Sequence, residues 1–285
     1  MMKQITVLSG KGGTGKTSLV SAFASLAKNK VLADCDVDAA DLHLILKPEI
    51  IEENDFRALK TASIDGEKCT RCGECVKYCV FDAISDYLVN PLACEGCAVC
   101  ELVCPVDAVS MNEKNAGKTF ISNTRCGPLV HAILYAGEEA SGKLVALVRK
   151  KAKDVAQDKG LDLIIIDGSP GIGCPVIASL SGADLALIVT EPTISGLHDL
   201  ERIVGVTEFF KIKSMVCINK YNINREKTIE IKKYCLRNNI PVAGEIPYSG
   251  DFTKAMVQAK SIVEYGGDVS QIVKGVWDEV NNSIR

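Results

Sequence analysis

Cys69, Cys72, Cys75 and Cys79 recur as Cys94, Cys97, Cys100 and Cys104, every one displaced by 25 residues. The duplication runs past the sulfurs, because Asp82-Ala83-Ile84-Ser85 is echoed at the same offset by Asp107-Ala108-Val109-Ser110. Self-similarity at a fixed period marks one supersecondary unit used twice. Each half reads C-x2-C-x2-C-x3-C, a run in which three close thiolates hold one iron-sulfur cubane and the fourth reaches to the neighbouring one. The expected ligand sets are therefore crossed: Cys69, Cys72, Cys75 and Cys104 for one [4Fe-4S] cluster, and Cys94, Cys97, Cys100 and Cys79 for the other. Soft thiolates suit such clusters, and Gly73, Gly96 and Ala98 let the backbone turn closely around them. Two other readings compete. Tetrathiolate zinc sites usually pair two C-x2-C knuckles and not three-plus-one runs. Disulfides sit poorly with 13 cysteines, an odd number, and with the absence of a secretory signal. The second run ends Cys104-Pro105 and the first Cys79-Val80, a difference that leaves ligation intact.

A chain of 285 residues, 47% apolar and 24% charged, can bury one large core plus a small satellite, or two modest domains. The net charge of −3 argues against a broadly basic surface for nucleic acid or anionic lipid. The basic stretch Arg149 to Lys153 reads as the solvated face of a helix. Apolar runs such as Leu163 to Ile166 and Leu185 to Val189 are too short to cross a bilayer. Reduced cysteines and a first strand with no signal peptide before it give a cytoplasmic expectation.

The chain opens with Gln4-Ile5-Thr6-Val7-Leu8, a β-rich apolar run, followed at once by Ser9-Gly10-Lys11-Gly12-Gly13-Thr14-Gly15-Lys16-Thr17-Ser18. Strand, glycine loop and helix stand in the required order, and Gly10 to Thr17 satisfies G-x4-G-K-[ST]. Backbone N–H groups of Gly10, Gly12, Gly13, Thr14, Gly15 and Ser18 are expected to cradle the phosphates of ATP or ADP. Lys16 reaches the β- and γ-phosphates, and Thr17 binds Mg2+. The helix that follows, to about Lys28, then places its amino end against the anion.

The loop carries a second lysine, Lys11, and here the chain resembles the deviant Walker A family, which includes MinD and ParA, the nitrogenase iron protein and the Mrp-type cluster-assembly ATPases. The family pattern K-G-G-x-G-K-[ST] is matched from Lys11 to Thr17. The resemblance implies that Lys11 crosses a dimer interface to the phosphates of the other subunit's nucleotide; from the residues alone it is equally a solvated loop cation. Val31-Leu32-Ala33-Asp34-Cys35-Asp36-Val37-Asp38 is a strand ending in carboxylates, where an open α/β sheet presents its ligands. It looks like the family's second motif, which implies that Asp36 orients the attacking water. Asp34, Asp38 and Asp41 could instead cap the following helix. Leu161 to Asp167 reads as a fully buried parallel strand, with Asp167 the Walker B candidate for Mg2+. Gly168 to Cys174 resembles the family's switch II. Cys174 stands at the spacing by which the nitrogenase iron protein presents a cysteine to a shared cluster. A structural role for this small apolar residue is the favoured reading, with Cys126 its only obvious partner otherwise.

The remaining chain alternates: Leu129 to Tyr135 before a helix from about Lys143 to Lys159, Leu185 to Thr190 before Leu197 to Phe210, and Ser214 to Ile218 before Arg225 to Leu236. This predicts an α/β P-loop NTPase fold, a parallel sheet flanked by helices. Asn219 ends a strand at a position resembling the family's base-recognition residue, its amide offering a donor and an acceptor to adenine. A strand-ending turn residue is the alternative. Pro247 to Asp251 could add backbone contacts to the base. In the last segment Ile272, Val276, Trp277, Val280 and Ile284 share one helical face. Asp278 and Glu279 beside Lys274 deny it the cationic excess of a membrane-surface helix.

The expected organisation is a P-loop ATPase domain over residues 1–60 and 113–285, interrupted over residues 61–112 by a small α+β bacterial ferredoxin-like module with two [4Fe-4S] clusters. The whole resembles MinD-superfamily ATPases with an inserted ferredoxin domain. That resemblance implies an ATPase that forms a homodimer around ATP and Mg2+, with Lys11, Lys16 and Asp36 catalytic. Hydrolysis is expected to drive electron transfer or metallocofactor assembly on an unidentified redox or assembly protein, with neither nucleic acid nor integral membrane association. An iron-sulfur carrier and a redox-sensing positioning ATPase are the alternative uses.

Overall fold

The computed structural model describes residues 2–138 and 140–285. In chain order its elements are β1 (Lys3–Ser9), α1 (Lys16–Leu26), β2 (Lys30–Asp34), α2 (Leu42–Leu46), β3 (Glu49–Ile64), α3 (Glu74–Lys77), β4 (Ile84–Ser85), β5 (Leu88–Val89), α4 (Val99–Leu102), β6 (Val109–Thr124) and β7 (Gly127–Leu134). There follow α5 (Ser141–Asp158), β8 (Leu163–Pro170), α6 (Cys174–Leu180), β9 (Leu185–Thr190), α7 (Ile194–Phe209), β10 (Lys213–Asn219), α8 (Arg225–Arg237), β11 (Val242–Ile246), α9 (Asp251–Val257), α10 (Ile262–Tyr265) and α11 (Asp268–Ile284). Two compact units result: Met1–Asn54 with Thr119–Ile133 and Ser141–Arg285, and Asp55–Lys118 with Leu134–Ala140.

The first unit is α/β. Its strand order is β11-β10-β9-β1-β8-β2-β7, with every one of these pairs parallel. Leu163 to Asp167 are all buried, as a strand covered by helices on both faces requires. The register sets Asp167 beside Val7 on one side and beside Asp34 on the other, so the loop after β1 and the acids ending β2 and β8 converge. Residues Leu19 to Ala24 of α1 are buried without a break, because α1 lies between the sheet and the carboxyl-terminal helices; Phe23 and Trp277 rings are 5.0 Å apart. On the other face Val176, Leu200, Ile203 and Ile231 of α6, α7 and α8 pack against Leu8, Ile188 and Ile218.

Three expectations need correction. Ile272 is 38% exposed, and the buried stripe of α11 runs through Val269, Val273, Val276, Trp277 and Val280. At 100° per residue Ile272 lies roughly 90° from the centre of that stripe. Arg149 is half-buried, with its guanidinium turned into the protein and not on a solvated face. Two sixteen-residue strands, β3 and β6, carry the chain out of the first unit and back. Neither was expected, because Glu49-Ile50-Ile51-Glu52-Glu53 has neither alternation nor a continuous apolar run.

In the second unit the sequence repeat becomes a backbone repeat. Gly73 (φ 84°) precedes α3 as Ala98 (φ 63°) precedes α4, and Asp82 (φ 50°) matches Asp107 (φ 51°). The N–H of Ala83 donates to Cys79 Sγ at 3.4 Å, and that of Ala108 to Cys104 Sγ at 3.2 Å. A glycine is required at 96, where φ is +67° and a Cβ would stand 2.5 Å from the carbonyl oxygen of Lys60. β4 and β5 close a short antiparallel hairpin.

Candidate functional site

The loop between β1 and α1 wraps the amino end of α1. Gly15 is its N-cap at φ 92°, and a Cβ there would collide with the amide of Asn219, so only glycine fits. Asn219 Nδ2 donates to the Thr14 carbonyl at 2.7 Å while its Oδ1 accepts from the Lys220 N–H at 2.9 Å. The structure thus places Asn219, 8% exposed, against the loop backbone, where it holds the turn in shape. Gly12 and Gly13 are exposed at the loop tip, and Thr17 and Ser18 are half-buried on the first turn of α1. Thr14 Oγ1 is buried without a partner.

Lys16 is 6% exposed and turns inward to acids. Its Nζ lies 2.7 Å from Asp167 Oδ1 and 3.4 Å from Asp36 Oδ2. Burial pulls the ammonium's pKa down, but the charges of Asp167 and Asp36 outweigh it, leaving Lys16 raised to about 12. Asp34 is fully buried; burial and the neighbouring Asp167 push its carboxyl well up. Its Oδ1 accepts from the Asp36 N–H at 3.1 Å and its Oδ2 from the Leu42 N–H at 3.2 Å, so Asp34 ties the Asp36 backbone to the start of α2. Burial, opposed by Lys16 and reinforced by Asp167, raises Asp36 also. Asp167 Oδ2 is buried without a partner. An unpartnered buried carboxylate oxygen at the end of β8 and an unpartnered buried threonine hydroxyl in the phosphate loop suit a site built to receive a hard cation and phosphate oxygens.

Lys11 points to its own subunit's β9–α7 loop. Its Nζ meets Glu191 at 2.6 Å, Ser195 Oγ at 3.0 Å and Thr193 Oγ1 at 3.5 Å. Glu191 also binds Lys220 at 3.0 Å, and Lys220 donates to the Gly13 carbonyl at 2.9 Å. Burial opposes ionisation of Glu191, yet bonds from the two lysines hold its carboxyl below the usual range. Lys220 belongs to the Asn-Lys strand end, whereas Glu191 has no place in the sequence reading. The signal was available, since Glu191 directly follows the apolar run Leu185 to Thr190 at the ligand-presenting end of a strand. Cys174 is exposed at the first position of α6, and Cys126 is buried, 3.8 Å from Ser25 Oγ; no contact joins the two cysteines among the described residues.

In the second unit the cysteines line two small cavities. One is walled by Cys69, Cys72, Cys75 and Cys104, with Ile64 and Tyr87; the other by Cys94, Cys97, Cys100 and Cys79, with Ile84 and Met111. Burial pushes the thiols of Cys75 and Cys100 up, whereas the backbone N–H of Val106, then that of Ala108, lowers Cys104. No group of three or more His, Cys, Asp or Glu side chains among the described residues is arranged to hold a single metal ion. Thiolates on a cubane each meet a different iron and stand wider apart than the roughly 3.8 Å between sulfurs around one tetrahedral zinc. Four cysteines around an apolar hollow, with N–H groups turned to sulfur, fit a cubane's needs.

Residues 5–262 match the family described as the CobQ/CobB/MinD/ParA nucleotide binding domain. An uncharacterized protein of Methanocaldococcus jannaschii, MJ0578, is 32% identical over 290 residues, spanning 100% of this chain and 98% of its own. The septum site-determining protein MinD of Buchnera aphidicola subsp. Schizaphis graminum is 23% identical over 279 residues, 92% of this chain and 84% of its own. The solved structure of septum site-determining protein MinD from Pyrococcus horikoshii, complexed with Mg-ADP, shares the fold at a TM-score of 0.62. It is 17% identical and aligns over 99% of this chain and 97% of its own.

Proposed function

We propose that this chain, which belongs to the CobQ/CobB/MinD/ParA nucleotide-binding family and is an ATPase, couples ATP hydrolysis to electron transfer or to metallocofactor and iron-sulfur assembly. The residues 61–112 form a ferredoxin-type module holding two [4Fe-4S] clusters, inserted into an ATPase domain made by residues 1–60 and 113–285. The observation that carries this reading is the pairing of cysteines around the two cavities, three from one repeat with the fourth from the other. When bound, such clusters supply one-electron chemistry; the chain's part is to bind them, exclude water with Ile64, Ile84 and Met111, and donate N–H bonds to Cys79 and Cys104. At the nucleotide, Lys16 and the loop amides take phosphate, Thr17 and Asp167 take Mg2+, and Asp36, positioned by Asp34, orients water. Lys11 acts across a homodimer, which requires it to leave Glu191. The partner is an unidentified redox or assembly protein. No helix among the described residues is long and apolar enough to cross a membrane.

The test is anaerobic reconstitution followed by iron and sulfide analysis and electron paramagnetic resonance with ATP and with ADP. About eight irons per chain are expected. Cys104→Ser is expected to perturb the same resonance as Cys69→Ser, and Cys79→Ser the same as Cys94→Ser. An uncrossed pattern, or tight zinc with no sulfide, overturns the cluster assignment; spectra and partners indifferent to nucleotide overturn the coupling. The likeness to septum site-determining proteins favours a second reading, a positioning ATPase whose clusters sense redox state. Redox-dependent, ATP-dependent recruitment to anionic vesicles with no electron delivery would establish it instead.

A further inference from the structure

A groove of about 950 Å3 runs across the first unit between α5, α6 and the turn after α7. Among the described residues its walls carry five cations, Lys143, Arg149, Lys150, Lys153 and Lys211, and no acidic residue, in a chain whose net charge is −3. Lys150, Lys153 and Lys211 are exposed and form no ion pair among the described residues. Arg149 is fixed in the wall: Nη1 donates to the Ala178 carbonyl at 3.0 Å and Nη2 to Gln4 Oε1 at 2.7 Å. Its Nε is buried without a partner. None of its hydrogen bonds goes to a carboxylate, so a cation held in protein has no acid to offset its charge. Apolar surface shares the groove, with Ile177 40% and Phe210 42% exposed.

Cations at 143, 150 and 153 of one helix span about 15 Å, the length of ten helical residues. A flat bilayer cannot enter a concave groove between helices. A nucleic-acid duplex, its bases stacked inside, would bring charge at every repeat and nothing apolar for Ile177 and Phe210 to cover. An acidic amphipathic peptide satisfies both kinds of wall.

We propose that this groove is a docking site for an acidic amphipathic segment of a protein partner, its carboxylates against Lys150, Lys153 and Lys211 and its apolar side chains on Ile177 and Phe210. The site stands on the first unit alone and is independent of what the cysteines bind. The test titrates the full chain, by fluorescence anisotropy at about 0.15 M salt, with a labelled peptide of about 15 residues that places Leu on one helical face and Glu on the other. Scrambled peptide, duplex DNA and phosphatidylglycerol vesicles run in parallel. The ordered peptide is expected to bind at least about tenfold tighter than the scrambled one. The double variant Lys150→Glu, Lys153→Glu is expected to weaken it at least about tenfold, and Lys159→Glu, in the turn directly after α5 and outside the groove, to leave it unchanged. MgATP affinity of the double variant reports its fold. Equal binding by the double variant, indifference to peptide order, or groove-dependent binding of DNA or vesicles in place of the peptide overturns the proposal.

Discussion

Lys16 sits where the carboxylates of Asp36 and Asp167 converge, 3.4 Å from the one and 2.7 Å from the other. Removing one member leaves a buried charge uncompensated, which typically costs about 3–5 kcal/mol. Lys16→Met is therefore expected to lower unfolding free energy by about 3 kcal/mol as well as abolish MgATP binding. Urea denaturation separates the two effects; lost binding with unchanged stability would mean the acids discharge by taking up protons. Lys11, by contrast, is 34% exposed on its side chain. Its bond to Glu191 is weak enough to exchange for a phosphate. Glu191→Gln is expected to free Lys11 and to increase ATP-dependent dimerisation, measured by light scattering across an ATP titration. An unchanged or weaker dimer would show that Glu191 helps Lys11 and does not restrain it.

Elements are joined here by polar clamps with a pH signature. His131 on β7 stacks on Phe120 of β6 at 4.8 Å and on His43 of α2 at 5.7 Å. Burial, then His43, lowers its pKa to about 4. The unfolded chain binds the proton more tightly, so stability rises as pH climbs from about 4 to 6.5 and is lost on the way down, at most about 3 kcal/mol. Arg125, in the β6–β7 turn, donates to the carbonyls of Ile45, Leu46 and Ala259 and to both oxygens of Glu264. That hydrogen bonding holds Glu264 down at about 2, so its contribution is present above about 4.5 and fades as pH falls towards 2. His131→Phe is expected to flatten the dependence between pH 4 and 6.5 while leaving the more acidic limb. Urea midpoints at pH 4.5 and pH 7 check this; an unaltered difference between them refutes the assignment.

At the scale of the molecule, the start of α7, the loops at the carboxyl ends of β10 and β11, and the end of α9 expose Ile194 (79%), Ile223 (59%), Tyr248 (62%) and Val257 (83%). Apolar side chains on the face that carries the phosphate loop match the needs of a nucleotide-dependent homodimer interface. Tyr248→Asp is expected to keep ATP binding and lose ATP-dependent dimerisation, with the oligomer measured by light scattering. A dimer that survives moves the interface elsewhere.

Much of this was legible in the residues because it depends on local spacing. A phosphate loop needs its glycines and lysine within one turn, a buried parallel strand such as Leu163 to Asp167 is apolar without interruption, and the cysteine repeat carried its turn geometry with it to Gly73 and Ala98. Other features had no local signature. Strand β3 starts on exposed Glu49 to Glu53, and what makes it a strand is pairing with a segment far along the chain. The partners of Lys11 lie some 180 residues away at Glu191, Thr193 and Ser195. The strand end marks Asn219 as a candidate base contact, and only the meeting of β10 with the phosphate loop shows its amide on the Thr14 carbonyl. The sequence by itself thus determined which chemistries this chain carries, since ligand type and spacing are written in consecutive residues. Tertiary structure alone decided which charges neutralise one another and which, like Arg149, Lys150 and Lys153, stand without an acid among the described residues, because such pairings are made across the fold.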